Sequence, residues 1–272
     1  MFASDLIHKD IVYDRAGDRD LLLDLYLPAG DGPHPLVVWV HGGGWRRGSK
    51  ANPQALWLTG HGFAVASIAY RLSGVAKFPA QIEDAKSAIR FLRANSRAYH
   101  IDPDRIAAWG ASAGGHLVAL LGVTGDQPFF EPRAGARAVS SRVQAVVDYY
   151  GPTDLLRMSG FPSSIAHDAP DSPESLLIGG PIQEHKEKTA RANPIRYVTP
   201  GDAAFLIVHG DKDMSVPLNQ SELLHAALLK AGVPAELRVL EGAGHGGPPF
   251  QDPDMKKTVL AFLQKYLNQH GK

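Results

Sequence analysis

Arg105-Ile106-Ala107-Ala108-Trp109-Gly110-Ala111-Ser112-Ala113-Gly114 runs from an apolar stretch into a serine set between two glycines. The apolar run predicts a strand and the residues after Ser112 predict a helix, so the serine falls on a sharp strand-to-helix turn. Such a turn throws the hydroxyl into the open, and a side chain at Gly110 or Gly114 would collide with the neighbouring strand or helix. The pattern also arises by chance in a chain with 28 glycines among 272 residues, so its weight depends on what surrounds it.

On either side, apolar runs alternate with helical patterns. Ile11-Val12-Tyr13 and residues 21–27 flank the turn residues Gly17 and Asp18 and predict an opening hairpin that Pro28 ends. Residues 35–40, 63–69, 105–109 and 143–149 are apolar without polar alternation, as expected of strands covered on both faces. Strands follow at 203–209 and 236–240. Helices are predicted over 79–99, where Ile82, Ala85, Ile89 and Leu92 recur at helical spacing, over about 217–230, closed by Gly232, and over 254–267. This order gives an α/β domain: a mostly parallel sheet of about eight strands with an antiparallel start and helices on both faces. The whole chain, 1–272, is expected to form one such domain. Residues 151–200 break the alternation with prolines at 152, 162, 170, 173, 181, 194 and 200, and predict a small cap over the sheet's active edge.

Composition narrows the function. Lys plus Arg and Asp plus Glu both number 28, which leaves no long-range field to attract nucleic acid, an anionic membrane or a strongly charged substrate, and favours a neutral small molecule. Cysteine is absent, so a thiolate nucleophile, a disulfide framework and a thiolate metal site are excluded. Asp5, His8, Lys9 and Asp10 interrupt the start, which lacks the regions of a secretory signal, and no apolar run approaches the ~20 residues that span a bilayer. A cytoplasmic, soluble protein is the expectation. Oligomeric state is not readable.

A serine hydroxyl needs a histidine to take its proton and an acid to orient that histidine, and a serine presented this way is served in the order Ser, Asp or Glu, His. Of His225, His245 and His270, the first lies in a predicted helix and the last in the tail. His245 sits in Glu241-Gly242-Ala243-Gly244-His245-Gly246-Gly247, just after a strand, and is the candidate base. For the acid, Asp213 is preferred over Asp211 and Asp148. Asp211 suits a turn hydrogen bond, and Asp148 suits an acceptor for the loop that begins at Gly151. His41-Gly42-Gly43-Gly44-Trp45 follows the third strand, where backbone amides can approach a developing oxyanion. Gly43, Gly44 and Ala113 are assigned as donors, with Gly42 and Trp45 as one-residue alternatives. Trp45 is either a wall of the substrate pocket or core. His41 is read as a brace for the glycine loop, Arg46, Arg47 and Lys50 as a solvated basic cluster, Arg71 and Asp84 as structural partners, and His116 as packed. No zinc-type spacing and no nucleotide cradle is present, so no metal or cofactor is implied.

Together these segments resemble the α/β-hydrolase esterases that carry an HGGGW element, a branch near the hormone-sensitive-lipase-like carboxylesterases with feruloyl-esterase-like and acetyl-xylan-esterase-like members. Tyr70-Arg71-Leu72, Phe78-Pro79-Ala80 with Asp84, Ile101-Asp102-Pro103-Asp104-Arg105-Ile106 and Tyr150-Gly151-Pro152-Thr153-Asp154 extend the resemblance through nearly the whole chain. It departs at the acid: His209-Gly210-Asp211-Lys212-Asp213-Met214-Ser215-Val216-Pro217 resembles the form seen in peptidase-like hydrolases. The resemblance implies an α/β-hydrolase fold and a serine carboxylesterase for short-chain esters, working through an acyl-enzyme. The same His-Gly-Gly-x-Trp element is similar to that of kynurenine formamidases, so an arylformamidase with the same triad is the alternative. A binding protein on a hydrolase scaffold is more remote, because every expected catalytic part is present.

Overall fold

The computed structural model describes residues 6–125, 127, 130–131 and 139–267. Eight strands form one sheet: β1 (Ile7–Ala16), β2 (Arg19–Tyr26), β3 (His34–Val40), β4 (Ala64–Ile68), β5 (Ile101–Ala111), β6 (Ala145–Tyr149), β7 (Ala204–Gly210) and β8 (Ala235–Leu240). Their spatial order is β1-β2-β4-β3-β5-β6-β7-β8. Strand β2 is antiparallel to both its neighbours, and all other pairs are parallel. The expected mixed sheet with an antiparallel start is therefore what forms.

Period-two alternation explains how apolar runs without polar breaks fill both faces. Leu36, Val38 and Val40 of β3 join a core with Ile106 and Ala108 of β5, while Val37 and Trp39 face the other way beside Ala107 and Trp109. The first core is closed by helices α1 (Ala80–Ala94), α2 (Ala113–Val123) and α5 (Asn219–Lys230). The second is closed by α6 (Pro253–Leu267) and a 3-10 segment over 54–61. Between α2 and α5 lie two short helices, α3 (Pro173–Ile178) and α4 (Lys186–Arg191), in the proline-rich stretch between β6 and β7.

Two expectations need correction. The helix predicted over 79–99 stops at Ala94: Asn95 N still donates to the Phe91 carbonyl at 3.0 Å, but Ser96 N turns to the Arg93 carbonyl at 3.3 Å, so the i to i−4 ladder ends there. Lys50 is not a solvated loop residue. Its Nζ lies 2.6 Å from Asp24 and 2.7 Å from Asp10, and Asp24 is nearly buried, so the pair ties the loop after β3 to the hairpin. Arg71 and Asp84 are structural partners, as read. The guanidinium and the main-chain N–H of Arg71 both donate to the Asp84 carboxylate, which closes the turn leading into α1.

The chain order makes the site. From β3 the chain steps to β4 on one side, then returns through α1 to β5 on the other, so the loops leaving β3 and β5 meet at a reversal of winding. A crevice opens at the carboxyl ends of strands at such a point. The register, Val40 beside Gly110, Gly110 beside Asp148, and Tyr149 beside Val208, brings these ends level.

Candidate active site

Ser112 occupies the turn between β5 and α2 with φ 55° and ψ −122°, a conformation an L-residue adopts only when its surroundings impose it. Its N–H donates to the Tyr149 carbonyl at 2.8 Å, and its carbonyl accepts from His116 N at 3.1 Å, so both sides of the residue are pinned. The flanking glycines are required by space. A Cβ on Gly110 would come within 2.3 Å of the Gly114 carbonyl oxygen, and one on Gly114 within 2.0 Å of the Val40 oxygen on β3. The sheet and helix therefore close around the turn and push the serine hydroxyl outward.

His245 and Asp213 come to that hydroxyl from loops after β8 and β7. Nε2 of His245 lies 2.9 Å from Ser112 Oγ, and Nδ1 lies 2.6 Å from Asp213 Oδ2. The acid is fixed from four sides. Its Oδ1 accepts from the amides of Ser215 at 2.7 Å and Val216 at 2.9 Å, and its Oδ2 also lies 3.2 Å from Nε2 of the fully buried His209. Burial acts to raise the pKa of Asp213, but hydrogen bonds from His209 and His245, the charge of His245 and the Val216 amide outweigh it, so the carboxyl is held below the usual carboxylate range. An ionised acid at this position keeps the ring proton of His245 on Nδ1 and leaves Nε2 free to accept from the serine.

The glycine loop after β3 lies against the same turn. Gly43 has φ +112°, and a Cβ there would sit 2.2 Å from the Arg47 carbonyl oxygen, so only glycine fits. The Gly43 carbonyl accepts from the amides of Arg46 and Arg47, both at 3.2 Å, which curls the loop. Among the described residues the amides of Gly43, Gly44 and Ala113 make no hydrogen bond to the protein, and all three residues line the cavity above Ser112. His41 holds this loop: it stacks on Tyr70 with ring centroids 4.4 Å apart, and its Nδ1 lies 2.8 Å from the Gly42 carbonyl. Burial lowers its pKa, so the ring is neutral near pH 7.

The cavity measures about 350 Å³. Trp45 is both wall and core, lining it while 1% exposed. The 151–200 segment contributes Pro152, Ile165, Pro173 and Glu174 to its wall. That segment is anchored to the body through His116, whose Nε2 lies 2.7 Å from the Ala192 carbonyl and whose pKa burial lowers to about 4. Asp211 accepts from Gly242 N at 2.6 Å, which ties its loop to the one after β8 instead of closing its own turn, and Asp148 accepts from Gly151 N at 3.0 Å, the structural task read for it. His225 lies on α5, and His270 falls outside the described residues.

Three contributors were not singled out in the sequence. His209, at the end of β7, braces the acid. Tyr150, at φ 43°, tilts its ring over His245 with centroids 4.6 Å apart. Glu174 lies on the cavity wall. The first ends β7 and the second directly follows β6, so the rule that sites form at strand carboxyl ends would have flagged them. Nothing in the sequence around Glu174 does.

Comparison with known proteins gives the family and the fold. The family model described as BD-FAE matches residues 23–228. The chain is 34% identical to esterase LipC of Mycobacterium tuberculosis over 242 residues, covering 87% of this chain and 59% of that protein. It spans about half to three fifths of the length of the curated relatives it matches. A truncated carbohydrate esterase from gut microbiota superposes with a TM-score of 0.88 at 32% identity, covering 98% of this chain and 99% of that one. Esterase Est2 of Thermogutta terrifontis superposes with a TM-score of 0.77 at 29% identity, covering 97% and 95%. Thermogutta terrifontis esterase 2 has also been solved phosphorylated by paraoxon. The fold is that of the α/β-hydrolase esterases. Among the described residues no helix is long and apolar enough to cross a membrane.

Proposed function

Because the chain belongs to the BD-FAE family, we propose that it is a serine carboxylesterase acting on short-chain esters of neutral alcohols. The observation that carries this reading is the continuous relay from Ser112 Oγ through His245 to Asp213, at 2.9 and 2.6 Å. Ser112 attacks the ester carbonyl while Nε2 of His245 takes its proton, and Asp213 stabilises the imidazolium that forms. The carbonyl oxygen becomes an oxyanion and accepts from the amides of Gly43, Gly44 and Ala113, each worth on the order of 3 kcal/mol of barrier. His245 returns the proton to the departing alcohol. Water, activated by the same histidine, then attacks the acyl-enzyme and releases the acid and Ser112.

Residues 151–200 act as a small cap that shapes the alcohol or acyl side, a reading supported by the four wall residues they supply. The names of the esterase relatives support the ester as substrate. Initial rates on p-nitrophenyl acetate for the wild type and Ser112→Ala, with circular dichroism on both, test the reading. Turnover by the wild type and background rate in the variant support it. An equal rate in the folded variant overturns the nucleophile, and formamide hydrolysis well above simple esters would replace the ester substrate.

A further inference from the structure

Glu174 is the one carboxylate on the cavity wall among the described residues, and only half of it is used. Its side chain is 4% exposed. Oε1 lies 3.0 Å from Nδ1 of His167, whereas Oε2 is buried with no hydrogen-bond partner among the described residues. His167 is itself fully buried and reaches Ser163 Oγ through Nε2 at 3.0 Å, and that hydroxyl lies 3.1 Å from the Met214 carbonyl. The carboxylate is therefore braced from behind. Folded proteins rarely leave a buried carboxylate oxygen without a donor, and each exception calls for an explanation, a functional role among them. The preceding residue, Pro173, packs on the glycine loop: a Cβ on Gly44 would lie 3.2 Å from its Cβ, so Glu174 is tied to the loop assigned to the oxyanion.

The wall offers a second unused acceptor in Gln54 Oε1, also buried without a partner. The exposed Arg46 and Arg47 line the same cavity and disfavour an ammonium group there, while Glu174 disfavours a carboxylate. A neutral hydroxyl satisfies both conditions. We propose that Glu174 is a specificity-determining residue that accepts a hydrogen bond from a hydroxyl of the substrate, so that the site selects neutral esters carrying free hydroxyl groups. The assignment rests on the esterase reading above and adds to it a residue that reads the substrate.

The test pairs glycerol monoacetate with its di-O-methyl ether, which keeps the oxygens and removes the donors. In the wild type kcat/KM should favour the hydroxylated ester by about tenfold to a hundredfold, the range of a hydrogen bond to a charged group. In Glu174→Gln the amide NH2 donates to hydroxyl and ether oxygens alike, and in Glu174→Met there is no acceptor, so the preference should collapse at least fivefold in each. Thermal melts report folding. The proposal is overturned if the wild type shows no preference, or if either folded variant retains it. If the wild type cleaves neither ester, the esterase reading fails by itself. Calorimetric binding of the same pair to the wild type and both variants then decides the role of Glu174 by the same criterion.

Discussion

Replacing Asp213 with Asn should cost about three to four orders of magnitude in kcat, and the structure dictates why. Three hydrogen bonds at this side chain run toward it, Oδ1 from the amides of Ser215 and Val216 and Oδ2 from His245, while Nε2 of His209, which donates to the Val216 carbonyl at 2.8 Å, lies 3.2 Å from Oδ2. Main-chain amides can only donate, so the carboxamide oxygen must take the Oδ1 position and its NH2 must face His245. Nδ1 of His245 then has to accept. Its ring proton moves to Nε2, against the Ser112 hydroxyl at 2.9 Å, where a protonated nitrogen cannot accept the serine proton. The variant also lacks the negative charge facing the imidazolium. At a charge separation of ~4 Å and an effective dielectric near 20 that attraction is about 4 kcal/mol, or roughly a thousandfold in rate. The wrong tautomer adds to this loss, giving about 10³ to 10⁴. Steady-state hydrolysis of p-nitrophenyl acetate at pH 7.5, with a melt to confirm folding, measures it. KM should move little, because the bond matters as charge develops on the ring. A folded variant that keeps kcat within tenfold of the wild type would refute the relay.

Gly114→Ala should destabilise the fold and impair turnover together, since its Cβ meets the Val40 and His41 carbonyl oxygens at 2.0 and 2.7 Å. Overpacking of this kind costs about 1–3 kcal/mol or more, a fall in Tm of roughly 2–10 °C, and calorimetry showing an unchanged Tm would contradict the packing argument. Asp148→Asn should stabilise the protein at pH 8 and change little at pH 4. Burial raises the Asp148 pKa to about 7, against the opposing Gly151 amide and the charge of His209. Its folded form keeps a proton that the unfolded chain releases near pH 4. Stability is therefore full below that pH and falls as pH rises through 7, by an upper bound of about 4 kcal/mol. Denaturant titrations that give wild type and variant the same pH slope between 4 and 8 would rule this out.

Periodicity and spacing were enough to specify the architecture and the relay candidates. Strands buried on both faces are apolar at nearly every position, so β3, β4, β6, β7 and the second half of β5 stand out as short apolar runs. A serine between glycines, an aspartate after one strand and a histidine after the next are local signatures of loops at strand ends. The 79–99 helix failed at its end because the main-chain ladder shifts at Ser96 from the i−4 to the i−3 carbonyl, a change that apolar spacing does not report. Lys50 was misplaced because its partners, Asp10 and Asp24, lie on other strands. The same limit hid His209, Tyr150 and Glu174. Tyr150 and Glu174 take their roles from groups distant in sequence, His245 and the oxyanion loop, and His209 meets Asp213, four residues on, only because the loop after β7 folds back, so local propensity carries no information on these contacts. The sequence by itself determined which strands are buried and which loops bear the chemistry, because those follow from local pattern. The tertiary structure alone decided the 2.6 and 2.9 Å spacings of the relay, the acceptor geometry that fixes Asp213 and the half-used carboxylate on the cavity wall, because each depends on where separate loops converge after the sheet has formed.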